Sequence, residues 1–73
     1  MRLHLVTSRV PPARSVSSHD KVVLMELETS LRLSQEIIDM NPSTSEATLL
    51  VLDEIGYPKL VSLVAESDGV IAW

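Results

Sequence analysis

The stretch from Ser43 to Asp68, STSEATLLVLDEIGYPKLVSLVAESD, constrains the chain most, because it carries start, corner and stop signals in order. Ser43 precedes Glu46 by three positions, so each side chain reaches the other's free backbone N–H in a capping box. Pro42, just upstream, closes whatever comes before it. Ala47, Leu50, Val51 and Ile55 then recur at helical spacing, and Leu49 and Leu52 widen the stripe. Gly56 follows as a residue free to take positive φ. Pro58 opens the next helix at the position where its missing N–H costs nothing. Leu60, Val61, Leu63 and Val64 give that helix an apolar side, and Asp68-Gly69 ends it. The spacing predicts a helical hairpin over 43–68 with a tight Gly-Tyr-Pro corner.

His19 to Met40 is the second periodic segment. Leu24, Leu27, Leu31 and Ile38 line one helical face, and Val22, Leu33, Ile37 and Met40 make a second stripe. Ser18 or Asp20 is placed to cap its start, and Asn41-Pro42 stops it. Lys21 to Leu27, KVVLMEL, also reads as a strand because of its β-branched residues, with the helix then starting near Thr29. Upstream, Arg2 to Thr7 alternates, with Leu3 and Leu5 on one side and Arg2 and His4 on the other, the pattern of a short strand. Pro11-Pro12 and the polar RSVSS tract make 8–18 an extended, flexible basic loop or arm. Val70 to Trp73 is an apolar tail that docks as an edge strand beside residues 3–6 or into a partner's groove.

The expected fold is therefore mainly α, one small domain over 1–73. It joins the 43–68 hairpin to a helix within 19–40 and a short N-terminal strand. The alternative is α+β, with a small sheet built from 2–7, 21–27 and 70–73; in it, 21–27 would pair with 2–7 as a hairpin across a long loop.

A chain of 73 residues buries only about 60% of its unfolded surface, so its core is marginal. Without Cys, disulfides and Cys-type zinc sites are excluded. The two histidines, His4 and His19, are too far apart for a helical ligand pair, and no cofactor is implied. The composition is 45% hydrophobic and almost wholly aliphatic, with Tyr57 and Trp73 as the aromatic residues. That much aliphatic content in a short chain leaves apolar surface for a partner or a dimer. The longest apolar runs, Val22–Met25, Leu49–Leu52 and Val70–Trp73, fall far short of the roughly 20 residues needed to span a bilayer. A soluble, cytoplasmic protein is expected.

Charge is unevenly placed. Residues 1–21 carry Arg2, Arg9, Arg14 and Lys21 against Asp20, while 22–73 carry Arg32 and Lys59 against nine acids, for a net charge of −4. A basic arm on an acidic body is the pattern of a binding protein with two faces of opposite sign. Arg2, Arg9, Arg14 and Lys21 are the candidate contacts to phosphate or an acidic protein, and Tyr57 is the candidate apolar anchor. Trp73 is read first as a core residue, because so short a chain spares few large side chains, and second as a partner contact.

Catalytic patterns are missing. Ser18-His19-Asp20 has the letters of a hydrolase triad, but consecutive residues do not face one another as nucleophile, base and orienter must. Glu26/Glu28 and Asp53/Glu54 lie on the polar faces of amphipathic segments and read as solvated charges. Two glycines at helix ends build no phosphate loop. A helix-turn-helix over 43–68 would present Lys59 and Glu66 to DNA, a poor match to a polyanion. No enzyme is expected.

A tiny, cysteine-free acidic chain with a basic arm and no site chemistry looks like a phage-encoded regulator that works by occupying a host machine. The whole chain, from MRLHLVTSRVPPARS to DGVIAW, resembles the small RNA polymerase–binding transcription regulators of Xanthomonas phages. The resemblance implies binding to bacterial RNA polymerase in the host cytoplasm, chiefly through its largest subunit, with nascent RNA as a further contact. It implies inhibition of promoter initiation and antitermination during elongation. The resemblance lies in length and overall sequence, and it transfers no role to individual positions. Two other classes stay open beside it: a small adaptor or antitoxin-like inhibitor of another host protein, and a weak nucleic-acid binder acting through the arm.

Overall fold

A computed structural model describes residues 1–28, 30–45 and 48–73. Thr29, Glu46, Ala47 and the side chain of Leu31, on which some of the helical expectations rest, lie outside that description. The chain runs β1 (Arg2–Val6), β2 (Lys21–Leu24), α1 (Ser30–Met40), β3 (Leu49–Val51), α2 (Leu52–Glu66) and β4 (Gly69–Ala72). The four strands form one sheet in the order β3-β2-β1-β4, and every neighbouring pair is parallel. The mainly α expectation is therefore overturned: this is a small α/β domain.

The correction has a physical cause at each segment. Lys21–Leu24 lies second from the edge, with Val22, Val23 and Leu24 all buried. A strand covered on both faces shows a continuous apolar run rather than alternation, and such a run matches a buried helix equally well. The helix expected within 19–40 thus keeps only Ser30–Met40. The α+β alternative places strands near three of the right segments. It fails on β3, and it pairs β1 with β2 as a hairpin where the register Leu3↔Lys21 to Val6↔Leu24 is parallel.

The hairpin over 43–68 fails in its first half. Leu49–Val51 pairs with Val22–Leu24 as β3, so the Leu-rich run that looked like a helical stripe is a short edge strand. The Ser43 hydroxyl donates to the Val16 carbonyl, and Glu46, the other half of the expected capping box, lies outside the described residues. The second half stands as expected at the corner. Gly56 takes φ 77° and ψ 163° and breaks α2 after one turn, and Pro58 lies at the start of the continuing helix.

That Gly56 conformation is essentially closed to residues with a Cβ, at about 1–3 kcal/mol. A Cβ built there would lie 3.7 Å from Pro58 Cδ, an ordinary contact, so the penalty is backbone strain and not crowding. Gly56→Ala is expected to lower stability by about 1–3 kcal/mol in urea melts. A change under about 0.5 kcal/mol, the size of a neutral surface substitution, would show that the corner is not held in this conformation.

The sheet is the middle layer of three. On one face Val6, Val22 and Leu24 meet Leu33 and Ile37 of α1, with Val16 and Val10 from the 7–20 connection and Trp73 at the margin. On the other, Leu3 and Val23 meet Leu52, Leu60 and Leu63 of α2. The strand path explains the split. Steps from β1 to β2 to β3 move one way across the sheet, and the step to β4 reverses, so crossovers of one hand put α2 on the opposite face from α1.

The segment expected as a flexible arm is tied to α1 at two points. Pro11 and Val16 are buried. Asn41, which ends α1 as Asn41-Pro42 predicts, accepts from Val16 N–H at 3.2 Å and donates to the Pro11 carbonyl at 3.2 Å. No described helix is long and apolar enough to cross a membrane.

Candidate functional site

The most chemically loaded place among the described residues is a buried line of three side chains from three parts of the chain. His4, on β1, is fully buried. Its Nε2 lies 3.0 Å from Asp20 Oδ2, and its Nδ1 accepts a 3.0 Å hydrogen bond from the Trp73 indole N–H. An indole only donates, so Nδ1 is the accepting nitrogen and Nε2–H donates to the carboxylate. The rings of His4 and Trp73 are nearly coplanar, 11° apart, with centroids separated by 6.2 Å. At that spacing they meet edge to edge through the hydrogen bond, not face to face.

Asp20 sits just before β2 and is itself buried. It accepts from the backbone N–H of Arg2 at 3.0 Å and of Ser17 at 3.1 Å, and the Arg2 guanidinium lies 3.7 Å away. Burial alone would raise its pKa. The hydrogen bonds from His4, Arg2 and Ser17 outweigh that and hold the carboxyl well below the usual carboxylate range. The partner of Asp20 is thus His4, whereas His19 is exposed, and the Ser18-His19-Asp20 string makes no triad. Both nitrogens of the buried imidazole are occupied. The arrangement clasps β1, the β2 entry and the end of β4 together.

The sequence-based contact residues do not converge. Arg2 is drawn to Asp20, and Lys21 starts β2 on the opposite face from Arg2, level with Leu3. Arg9 and Arg14 are exposed on the connection that packs against the α1 layer, and Arg14 takes a positive φ of 68°. Trp73 is half-buried, packed at the margin of that layer and bonded to His4, as its core reading anticipates.

Tyr57 is 69% exposed and stands at the rim of an apolar groove. The groove, about 320 Å³, is lined by Met25, Leu27, Leu52, Asp53, Gly56 and Tyr57. Glu26 and Glu28 adjoin it around Leu27, which is itself 56% exposed. The glycine corner of α2 makes it, because breaking the helix after one turn swings Tyr57 outward and leaves Leu52 as the floor. In the sequence Met25 and Leu27 read only as part of the helix or strand over 21–27, with no sign of a groove. Their role follows from the end of β2 at Leu24, after which the chain passes over the α2 layer. The groove therefore has an apolar floor and an acidic rim on the α2 layer, while Arg9 and Arg14 belong to the α1 layer. Among the described residues no cluster of His, Cys, Asp or Glu is arranged to hold a metal ion.

The chain matches no protein family, no curated protein and no solved structure in the comparisons made.

Proposed function

We propose that this chain is a binding protein and not an enzyme, a phage-encoded transcription regulator that occupies host bacterial RNA polymerase. The partner follows from the sequence resemblance. The binding mode follows from one observation: Tyr57, the large aromatic with most of its surface in water, stands over an apolar groove with acids on its rim. An exposed tyrosine beside an apolar floor is the usual composition of an interface anchor, and the acids select a basic surface. On this reading the groove seats on the largest subunit. Arg9 and Arg14, on the other layer, remain for nascent RNA or an acidic protein surface. Bound in that way, the chain inhibits promoter initiation and carries elongating polymerase past terminators.

The test is titration and co-elution of the purified protein with polymerase core and holoenzyme, alongside a nucleic-acid control. Submicromolar binding to polymerase is expected, and Tyr57→Ala should weaken it by at least about thirtyfold, the signature of an anchor worth 2 kcal/mol or more. Reversing Arg9 and Arg14 to Glu should reduce the salt dependence of association. Polymerase binding that is absent, or indifferent to Tyr57, sinks the reading. A tight complex with some other host protein would then favour the adaptor class, and salt-sensitive retention of RNA or DNA alone the nucleic-acid class.

A further inference from the structure

We propose that the free edge of β4 and the adjoining flank of α2 form a homodimer interface, with two copies joining their sheets antiparallel about a two-fold axis at Ile71. The proposal does not rest on the polymerase reading, and it does not use the groove at Met25, Leu27 and Tyr57.

β4 pairs with β1 on one side and is the outer strand of the sheet. Trp73 N–H donates to the Leu5 carbonyl at 2.8 Å, and Thr7 N–H donates to the Trp73 carbonyl at 3.1 Å, so the polar groups of Trp73 face inward. Alternation along a strand turns those of Ile71 inward too and leaves Val70 and Ala72 with N–H and C=O directed out. Exposed edges are ordinarily guarded by lysine, proline, inward charges or a bulge. Gly69-Val70-Ile71-Ala72 has neither charge nor proline. An antiparallel second copy centred on Ile71 pairs Val70 with Ala72 of its mate and Ala72 with Val70, each pair exchanging both backbone hydrogen bonds. The edge is self-complementary, as a two-fold interface requires.

The side chains point the same way. Val70 lies level with Leu3 and so belongs to the α2 layer, where it is 44% exposed. On α2, Leu60 and Leu63 face the sheet. At about 100° per residue, Val64 lies roughly 70° and Val61 roughly 130° round from that buried line. A right-handed β3–α2–β4 crossover, the hand that parallel connections take, turns both toward β4. They are 42% and 65% exposed. Lys59 and Glu66 fall on the opposite flank by the same count.

Charge selects the occupant. The chain carries −4 overall, so two copies repel one another across most orientations. The β4 edge with Val61, Val64 and Val70 is the strip where two such copies meet with least repulsion, since Asp68 beside it is paired with the Met1 ammonium. A four-residue edge and three valines make a small contact, below about 1,200 Å² in total, so a reversible dimer of roughly micromolar affinity is expected.

Sedimentation equilibrium of the full chain from micromolar to submillimolar concentration tests this. The mass should rise from 8.0 kDa toward twice that value. Val70→Pro removes an outward N–H while sparing the inward ladder, an edge position at which proline is tolerated. It should weaken association at least tenfold with an unchanged circular dichroism spectrum. Val64→Asp, at an exposed helix position, should do the same by facing like charges across the axis, and it decides the matter should the proline variant misfold. A mass of 8.0 kDa at every concentration, or a dimer that both variants leave intact, overturns the proposal.

Discussion

Asp20→Asn is expected to cost about 3–5 kcal/mol, the usual penalty for removing one partner of a buried charged pair. A core of this size supplies only about 3–5 kcal/mol in all, so the variant should be largely unfolded at 25 °C. Every neighbour of the carboxylate is a donor: the His4 ring, the backbone N–H groups of Arg2 and Ser17, and the Arg2 guanidinium. Asparagine keeps one acceptor and turns an NH₂ toward the others. The measurement is the circular dichroism spectrum and urea midpoint beside the parent. A loss below about 1 kcal/mol, that of one ordinary hydrogen bond, would show that Asp20 does not hold the clasp.

The same group sets an acid limit. Its folded pKa lies below the unfolded value of 3.8, so the folded state is favoured by the ionised form. That contribution is complete above the unfolded value and is lost as pH falls below about 4 toward the folded value. Asp68, paired with the Met1 ammonium, is lowered in the same direction but lies in water, where screening leaves the pair little weight. The urea midpoint of the parent should therefore hold between neutral pH and about 5, then fall steeply below about 4. A midpoint already falling near pH 6 would assign the acid limit to another group.

Leu63→Ala should be the second severe change, at about 2–5 kcal/mol, while the neighbouring Val64→Ala, under dilute monomeric conditions, should cost about 0.5 kcal/mol or less. Leu63 is fully buried beneath α2 against Leu3 and Val23, and Val64 is half in water. The cavity that alanine leaves is closed only by shifts of partly buried neighbours such as Met25 and Ile55, so much of the loss should remain. Urea melts of the two variants separate the cases; equal losses would mean that α2 is rotated from its described position.

The helix pattern over 60–64 shows how far residues alone could be read. Leu60, Val61, Leu63 and Val64 correctly mark a helix with an apolar side, but that side is wider than the contact it makes, and only the sheet beneath decides which half is buried. The Gly56-Tyr57-Pro58 corner was legible because its signal is local: one residue must take positive φ and the next but one must start a helix. The strands were harder. Val22–Leu24 is apolar because it is covered twice, so it reads as helix with a strand as the alternative, and Leu49–Val51 is too short to show any period and reads as helix. Nothing local marks the clasp. His4, Asp20 and Trp73 come from distant stretches, and Asp20 reads as an ordinary surface acid or cap until the parallel register of β1 and β2 sets it beside His4. The groove was half legible, through Tyr57, because its other wall needs β2 to end where it does.

The parallel sheet also governs how the domain comes to exist. In a helical hairpin the contacts form between near neighbours and the chain can find them quickly. Here Val22 must find Leu49, and Arg2 must find Gly69. Each pairing closes a long loop before any ladder bond is gained, so folding should be slow for so short a chain. β1 is an inner strand whose outer side is completed only by Gly69–Ala72, the last of the four strands in chain order. Until residues 69–72 have been made, β1 keeps one side open and His4 lacks its indole donor. Throughout that interval the nascent chain exposes an apolar strand edge, which makes it most vulnerable to aggregation just before it becomes stable.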